Sequence, residues 1–434
     1  MERFIMDDLV RWKNRNDRKP LILLGARQVG KTYILKEFGR REYDNVAYIN
    51  CDNNALVRDL FTPDYNIGRI LLTIGAITGV NIQPGKTLII MDEVQELKRG
   101  LASLKYFCED APQYHVAVAG SLLGLTLHDG DSYPVGKVNT LNMYPMTFEE
   151  FLLARNRKQM VDLLQAQRWD FVKGLRTLYI QHLREYYLVG GMPEAVDKFV
   201  QTNDANLVRE VQNEILAAYE KDISKHAPAE QVMRIGQVWH SIPSQLAKEN
   251  RKFIYGVVKK GARAKDYELA IQWLLDAGLV YKVNRVTTLA MPLKIHEEIS
   301  AFKLFMLDCG LLGAMSLTPP AMLLLPSTDN SGKGDFTENF VCSQMKSLSD
   351  LPVFYYSKDN SQLELDFVVQ ADTAVCPVEV KAEENLQSKS LKTTLSENPD
   401  MHGLRFSMSD YREEGRLTNV PLYGARSFLK ALKQ

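Results

Sequence analysis

The stretch Pro20-Leu21-Ile22-Leu23-Leu24-Gly25-Ala26-Arg27-Gln28-Val29-Gly30-Lys31-Thr32 decides the fold. Its last eight residues complete the pattern Gly-x-x-x-x-Gly-Lys-Ser/Thr of a loop that cradles phosphates, and the five before them form an apolar run of strand length. Backbone N–H groups can wrap a phosphate only where no Cβ obstructs the approach, which explains Gly25 and Gly30. Tyr33 to Phe38 then reads as helix, whose dipole and unpaired N–H groups favour the same anion. Gly25, Ala26, Arg27, Gln28, Val29, Gly30, Lys31 and Thr32 are therefore the expected nucleotide-binding residues. Lys31 is expected to reach the β and γ phosphates, and the Thr32 hydroxyl to sit on Mg²⁺.

Hydrolysis requires an acid on the metal at the end of a neighbouring buried strand, with a polarising group beside it. Leu88-Ile89-Ile90-Met91-Asp92-Glu93 supplies both. Asp92 is read as a Mg²⁺ ligand acting through water, and Glu93 as the residue that orients or deprotonates the attacking water. A further strand, Val116-Ala117-Val118-Ala119, ends at Gly120-Ser121, where Ser121 could sense the γ-phosphate, although a Gly-Ser pair is also a common turn. No Asn-Lys-x-Asp segment of the guanine-reading kind occurs in the chain, which favours ATP over GTP. A small-molecule kinase is disfavoured by the length and by the acidic pair Asp92-Glu93, which suits water activation.

With 434 residues, 45% of them hydrophobic, the chain can bury more than one core. Its formal net charge of zero points to no partner by itself, so any nucleic-acid surface must be a local patch. The five cysteines lie far apart, without the close pairs of zinc sites or secreted disulfide frameworks, and read as buried, reduced thiols. The acidic start, Met1-Glu2-Arg3-Phe4-Ile5-Met6-Asp7-Asp8, is unlike a signal peptide, and no apolar run approaches the roughly 20 residues of a membrane span. A cytoplasmic protein without membrane contact is expected.

Strands at 21–24, 46–50, 87–91 and 115–119 alternate with helical stretches, the pattern of an α/β fold with a parallel sheet covered on both faces. This core, the P-loop ATPase part, is expected to span residues 1–155. It leads into a capped helix start at Thr147-Phe148-Glu149-Glu150-Phe151. Residues 156–225 read as a helical lid, broken by a tight turn at Gly190-Gly191-Met192-Pro193. In the middle part, 226–300, helices at Glu230–Ile242, Ser244–Lys248 and Ala264–Asp276 precede a strand at Leu279–Val283, the order of a winged helix-turn-helix. Residues 225–285 hold 11 Lys+Arg against 5 Asp+Glu, a net of 11 − 5 = +6. The crowding at Lys248 to Lys265 could set Lys259, Lys260, Arg263 and Lys265 against DNA phosphates. A solvated face on a helical relay module is the plainer alternative.

The C-terminal part, 301–434, carries Glu338 on a helix (Phe336 to Met345), Asp366 in a strand and Glu379-Val380-Lys381 in the next, with Glu379 and Lys381 on one face. Asp366 and Glu379 could share a divalent metal, Glu338 complete its shell and Lys381 steer a water, as in a metal-dependent nuclease. The alternative is a set of solvent-facing charges.

Nearly end to end the chain resembles the predicted ATPases of the AAA+ superfamily, found in bacteria and archaea, that carry a C-terminal domain of unknown function. The resemblance rests on Gly25 to Thr32, Asp92-Glu93-Val94-Gln95, Gly120-Ser121, Gly190-Gly191-Met192-Pro193-Glu194 and Lys303-Leu304-Phe305-Met306-Leu307-Asp308-Cys309-Gly310-Leu311. Glu338-Asn339-Phe340-Val341, Glu364-Leu365-Asp366-Phe367 and Glu379-Val380-Lys381 match as well. It implies an AAA+-like nucleotide domain, a winged-helix middle and a C-terminal α/β domain similar to restriction-endonuclease-fold nucleases, with further copies of the chain as candidate partners. Relatives carry Gly-Arg-Val where this chain has Gly136-Lys137-Val138, which keeps the charge but loses the planar fork. No arginine finger is identifiable. The expected function is an ATP- and Mg²⁺-dependent hydrolase, DNA-binding and coupled to a nuclease-like domain. The alternative is an ATP-driven regulatory switch whose C-terminal part docks protein or DNA without cutting.

Overall fold

The computed structural model describes residues 1–52, 54–120, 134–248, 251–324, 333–359, 361–384 and 386–433. The chain divides into two compact units. One is Glu2–Tyr144 with Asp276–Gly278; the other is Met1, Pro145–Leu275 and Leu279–Gln434.

In the first unit, five strands appear among the described residues: β1 (Leu21–Leu24), β2 (Asn45–Asn50), β3 (Thr87–Asp92), β4 (His115–Ala119) and β5 (Asn139–Asn142). All pairings are parallel and the order is β2-β3-β4-β1-β5. β3 and β4 are continuous apolar runs because both faces of a parallel sheet are covered. Ile89, Met91, Val116 and Val118 form one core with Ile70, Ile74, Leu104 and Phe107 from flanking helices. β5 was not expected. Its sequence, Asn139-Thr140-Leu141-Asn142, is polar and half exposed, the character of an edge strand, and reads as a connector. β4 lies between β1 and β3, so the acid strand is one place removed from the phosphate-loop strand.

The second unit holds β6 (Val280–Val286), β7 (Glu297–Met306), β8 (Val353–Ser357), β9 (Glu364–Ala371), β10 (Ala374–Val380), β11 (Gly403–Ser407), β12 (Arg412–Glu414) and β13 (Leu417–Pro421). Among the described residues they form one sheet ordered β12-β13-β11-β10-β9-β8-β6-β7. β6, expected as part of a winged-helix middle, pairs antiparallel with β7 and parallel with β8. Its Val286 sits in one core with Leu293, Phe354, Leu365 and Val368, which makes it continuous with the C-terminal sheet instead of a separate wing. The helices expected at Glu230–Ile242 and Ser244–Lys248 are a single helix, Val232–Leu246, with Pro243 inside it.

The expected lid also belongs to this unit. Its helices bury aromatic rings against C-terminal elements: Tyr179 stacks on Tyr423 with centroids 4.7 Å apart, Trp169 on Tyr411 at 5.0 Å, and Tyr186 meets Phe340 edge-on at 5.7 Å. The boundary after Tyr144 falls earlier than the expected 155 for the same reason, since the helix Phe148–Ala154 is held by C-terminal groups. Thr147 caps that helix with a complete capping box. Glu149 receives Arg426 Nη1 at 2.9 Å and the Ser427 hydroxyl at 2.7 Å.

The Gly190-Gly191 turn separates the helices Arg176–Val189 and Pro193–Thr202. Gly190 has φ +72°, and a Cβ on Gly191 would lie 2.0 Å from the Met146 carbonyl oxygen. Asp308 staples the turn, accepting from Gly191 N at 2.6 Å and Leu311 N at 2.9 Å. Burial pushes its carboxyl up to about 6 although these N–H groups oppose the shift. The folded chain therefore holds this proton more tightly than the unfolded chain, and the site's contribution to stability weakens as pH rises from about 4 to about 6. Asp308→Ala leaves two enclosed N–H groups unmet and is expected to cost about 1–3 kcal/mol, read from the urea unfolding midpoint.

Candidate functional site

The nucleotide site is assembled within the first unit at the carboxyl ends of β1 and β3, where open parallel sheets bind ligands. Gly25 has φ +146°, and a Cβ there would lie 2.3 Å from the Met143 carbonyl oxygen, so only glycine fits. Gly30 has φ +96° and caps the helix Lys31–Glu42 without a side chain. That leaves the helix N-terminus free of a competing side-chain cap, as an anion cradle requires.

Lys31 Nζ donates to the carbonyls of Gly25 and Ala26, each at 2.8 Å, and the residue is 7% exposed. Burial lowers its ammonium to about 8, against the pull of Glu93 and Asp92. Thr32 Oγ1 donates to Asp92 Oδ2 at 2.6 Å, and the Tyr48 hydroxyl to the same oxygen at 3.2 Å. The two oxygens proposed for Mg²⁺ thus already meet. Glu93 follows β3 in a left-handed conformation, φ +52°, and its Oε2 accepts from Gln95 Nε2 at 2.5 Å. Left-handed backbone at a non-glycine residue concentrates at functional sites. Burial, and then Asp92 and Glu93, push the Cys51 thiol up to about 12. The meeting of Thr32 and Asp92 oxygens beside the phosphate loop is a donor set that fits a Mg²⁺–triphosphate.

Tyr48 has no role in the sequence pattern, and Gln95 enters it only within the motif Asp92-Glu93-Val94-Gln95. Gln95 had a signal, a polar side chain two residues after the acid, whereas Tyr48 reads as an ordinary strand residue. Ser121 lies outside the described residues. Lys137 pairs with Glu109 at 2.8 Å on the surface of the unit.

In the second unit, β9 and β10 pair antiparallel as the spacing predicts. Asp366 Oδ2 accepts from Val380 N at 2.7 Å, and Lys381, just past β10, reaches Glu379 Oε1 at 2.6 Å. Glu338, on the helix Lys333–Lys346, is 4% exposed and pairs with Arg251 Nη1 at 2.7 Å. Burial, and then Asp366, raise the carboxyls of Glu338 and Glu379. Burial acts against the Lys381 charge, but Glu379, Asp366 and Glu338 outweigh it and raise the ammonium. Lys303, fully buried, stands 2.7 Å from Glu364.

This is not the metal shell expected for Asp366, Glu379 and Glu338. Among the described residues no group of three or more His, Cys, Asp or Glu is placed to hold an ion. Their oxygens instead meet Arg251, Lys381 and the Val380 N–H. Arg251 belongs to the basic segment expected to face phosphates, yet it turns inward, while Lys248, Lys252, Lys259, Lys260, Arg263 and Lys265 are exposed.

Of the cysteines, Cys51, Cys309, Cys342 and Cys376 are buried and Cys108 half-buried, with none in a disulfide. No described helix is long and apolar enough to cross a membrane.

Residues 17–152 match a family model described as an AAA domain. This match, the parallel sheet and the phosphate loop give the first unit the fold of an AAA-type P-loop domain, a fold that binds nucleotide. Residues 180–321 and 333–423 match two models described as domains of unknown function, DUF8612 and DUF4143. No match was found among curated proteins. Among solved structures, the chain is similar to a Walker-type ATPase of Pyrococcus abyssi, with 15% identity and a TM-score of 0.45, over 73% of this chain and 95% of that one. It is also similar to the Orc1 protein of Aeropyrum pernix in complex with DNA, with 13% identity and a TM-score of 0.27, over 74% and 92%. A third is Cdc6p of Pyrobaculum aerophilum, with 13% identity and a TM-score of 0.23, over 73% and 90%.

Proposed function

We propose that the chain is a Mg²⁺-dependent ATPase whose second unit binds DNA. The observation that carries the ATPase reading is the contact of Thr32 Oγ1 with Asp92 Oδ2 at 2.6 Å beside a buried, loop-clasped Lys31. Mg²⁺ held by Thr32 and, through water, by Asp92 would offset the charge that develops on the transferred phosphoryl group. Lys31 exchanges two carbonyl acceptors for charged phosphate oxygens, and Glu93 takes a proton from the attacking water, with Gln95 fixing its carboxylate.

The exposed cluster of Lys259, Lys260, Arg263 and Lys265 supports DNA binding. Four phosphate contacts would give log K a slope of about −3.6 (4 × −0.9) against log salt. Reversing all four charges to glutamate is expected to abolish the shift of a labelled duplex at low salt and its effect on phosphate release. An unchanged shift would remove these residues from the interface, and absence of any wild-type shift would remove DNA from the reading.

For the C-terminal acids the non-cutting alternative is favoured in this arrangement by Arg251, whose ion pair with Glu338 takes an oxygen that a nuclease metal would need. Cleavage of the duplex by wild-type chain with Mg²⁺, lost in Lys381→Ala, would restore the nuclease reading.

A further inference from the structure

The phosphate loop, Gly25 to Thr32, is held from outside by a residue that lies well before it in the chain. Arg3 stands just ahead of the helix Ile5–Lys13, buried, with its guanidinium spanning two carbonyls from distant segments of the first unit. Nη1 donates to Val29 O at 2.9 Å and Nη2 to Tyr144 O at 2.6 Å. The helix that follows Arg3 packs on the helix Lys31–Glu42, where the Trp12 and Phe38 ring centroids are 6.2 Å apart and Lys13 Nζ stands 3.3 Å from Glu42 Oε2. Trp12 Nε1 also donates to Lys19 O at 2.8 Å. Arg3 is therefore presented to the loop from a rigid support, which a precise contact requires.

Val29 O and Gly30 N belong to one planar trans peptide, in which the carbonyl and the N–H point opposite ways. A donor that holds Val29 O thus also fixes the direction of the Gly30 N–H, one of the loop amides assigned to phosphate. This peptide needs a hold, because Gly30, at φ +96°, tolerates backbone angles of either sign and lets the plane turn over at little cost. The other end of the loop has its own brace. Met143 N donates to Leu24 O at 2.8 Å, and the Met143 carbonyl lies so close to Gly25 that a Cβ there would clash with it. Tyr144 is the next residue, so one guanidinium ties the Val29 end of the loop to the segment that braces the Gly25 end. Lys31 clasps the Gly25 and Ala26 carbonyls as well, but a lysine that turns to phosphate gives them up. The contacts of Arg3 persist through that exchange.

We propose that Arg3 is a positioning residue for nucleotide binding: by bridging Val29 and Tyr144 it aims the Gly30 N–H at the phosphates and keeps the loop in its binding shape when Lys31 moves to them. This rests on the reading of residues 25–32 as a phosphate loop. Arg3 acts through the backbone and touches no phosphate. The role suits arginine, whose planar fork serves two acceptors in fixed directions, whereas a lysine ammonium is a single point.

The test is calorimetric titration of the full chain with ATP, ADP and tripolyphosphate, each with Mg²⁺, comparing wild type with Arg3→Met and Arg3→Lys. Misdirecting one hydrogen bond to a charged oxygen corresponds to about tenfold in affinity. Arg3→Met is expected to bind all three ligands about tenfold more weakly, and Arg3→Lys to recover part of the loss at most. A loss confined to ATP and ADP, with tripolyphosphate unaffected, would place Arg3 at the base or sugar and overturn the proposal. A lower melting temperature with unchanged affinity in the folded variants would make Arg3 a purely structural residue. Wild type that binds none of the ligands would overturn the phosphate loop itself, which an effect limited to the variants leaves standing. Should neither variant fold, amide exchange in wild type decides, because coupling between the contact and the ligand is reciprocal. Saturating ADP must then slow exchange over residues 3–10 as well as over 25–32, and protection of the loop alone would refute the clamp.

Discussion

Glu93→Gln is expected to leave ATP bound and to slow its hydrolysis about 10²–10⁴-fold, the usual contribution of a positioned proton acceptor. The substitution keeps the shape of the side chain and an oxygen for the Gln95 amide, which now donates to Glu93 Oε2 at 2.5 Å. What it removes is the ability to take a proton. Binding should be largely retained, because the groups assigned to the triphosphate are Lys31, Thr32 and the loop amides at the end of β1, and Glu93 is assigned to the attacking water. The measurement pairs phosphate release with the Kd of a fluorescent ATP analogue. Equal hydrolysis in the two chains would remove Glu93 from the chemistry, and a parallel loss of binding would make it a structural residue.

Lys31→Ala is expected to weaken ATP binding by about 10²-fold or more. Charge-assisted hydrogen bonds contribute about 1.5–3 kcal/mol each, and every 1.4 kcal/mol is a factor of ten. Lys31 also clasps the loop, holding the Gly25 and Ala26 carbonyls at 2.8 Å. Truncation therefore removes a ligand to phosphate and loosens the cradle. Titration calorimetry measures the loss, with circular dichroism to show that the sheet is intact. Unchanged affinity in a folded variant would mean that the octapeptide does not serve as a phosphate loop here.

The nucleotide site was legible because each of its demands leaves a local mark. Gly25 and Gly30 take backbone angles that other residues resist, Leu88 to Met91 form the unbroken apolar run of a doubly covered strand, and Asp92-Glu93 interrupt it at the functional end. The second unit left weaker marks. β6 reads as the wing of a small module because its partner β8 lies some 70 residues away in sequence, and no local pattern announces a parallel pairing at that distance. The lid helices carry apolar faces that suit any neighbour, and only the tertiary structure shows Tyr179 on Tyr423.

Arg251 is the most instructive case. In a run holding Lys248, Lys252, Lys259 and Lys260 it reads as one more surface charge, yet it pairs with Glu338 and Asp335, more than 80 residues further along the chain. Lys303 behaves alike, fully buried beside Glu364 within an apolar strand. Charge partners so remote have no periodicity to betray them. The acids themselves were found, and the antiparallel pairing of β9 with β10 follows from their spacing. The cation that they hold was not foreseen.

Metal-assisted attack of water on ATP is the role proposed for Thr32, Asp92 and Glu93. Its most direct test is phosphate release from ATP by the full chain with Mg²⁺, repeated with excess EDTA and with Asp92→Asn, while ADP is followed in the same samples. Phosphate and ADP are expected in equal amounts with Mg²⁺, and neither above background in the other two. ADP without free phosphate would point to transfer onto another acceptor, and bound ATP that persists unhydrolysed with Mg²⁺ would contradict the assignment of the site as a hydrolase.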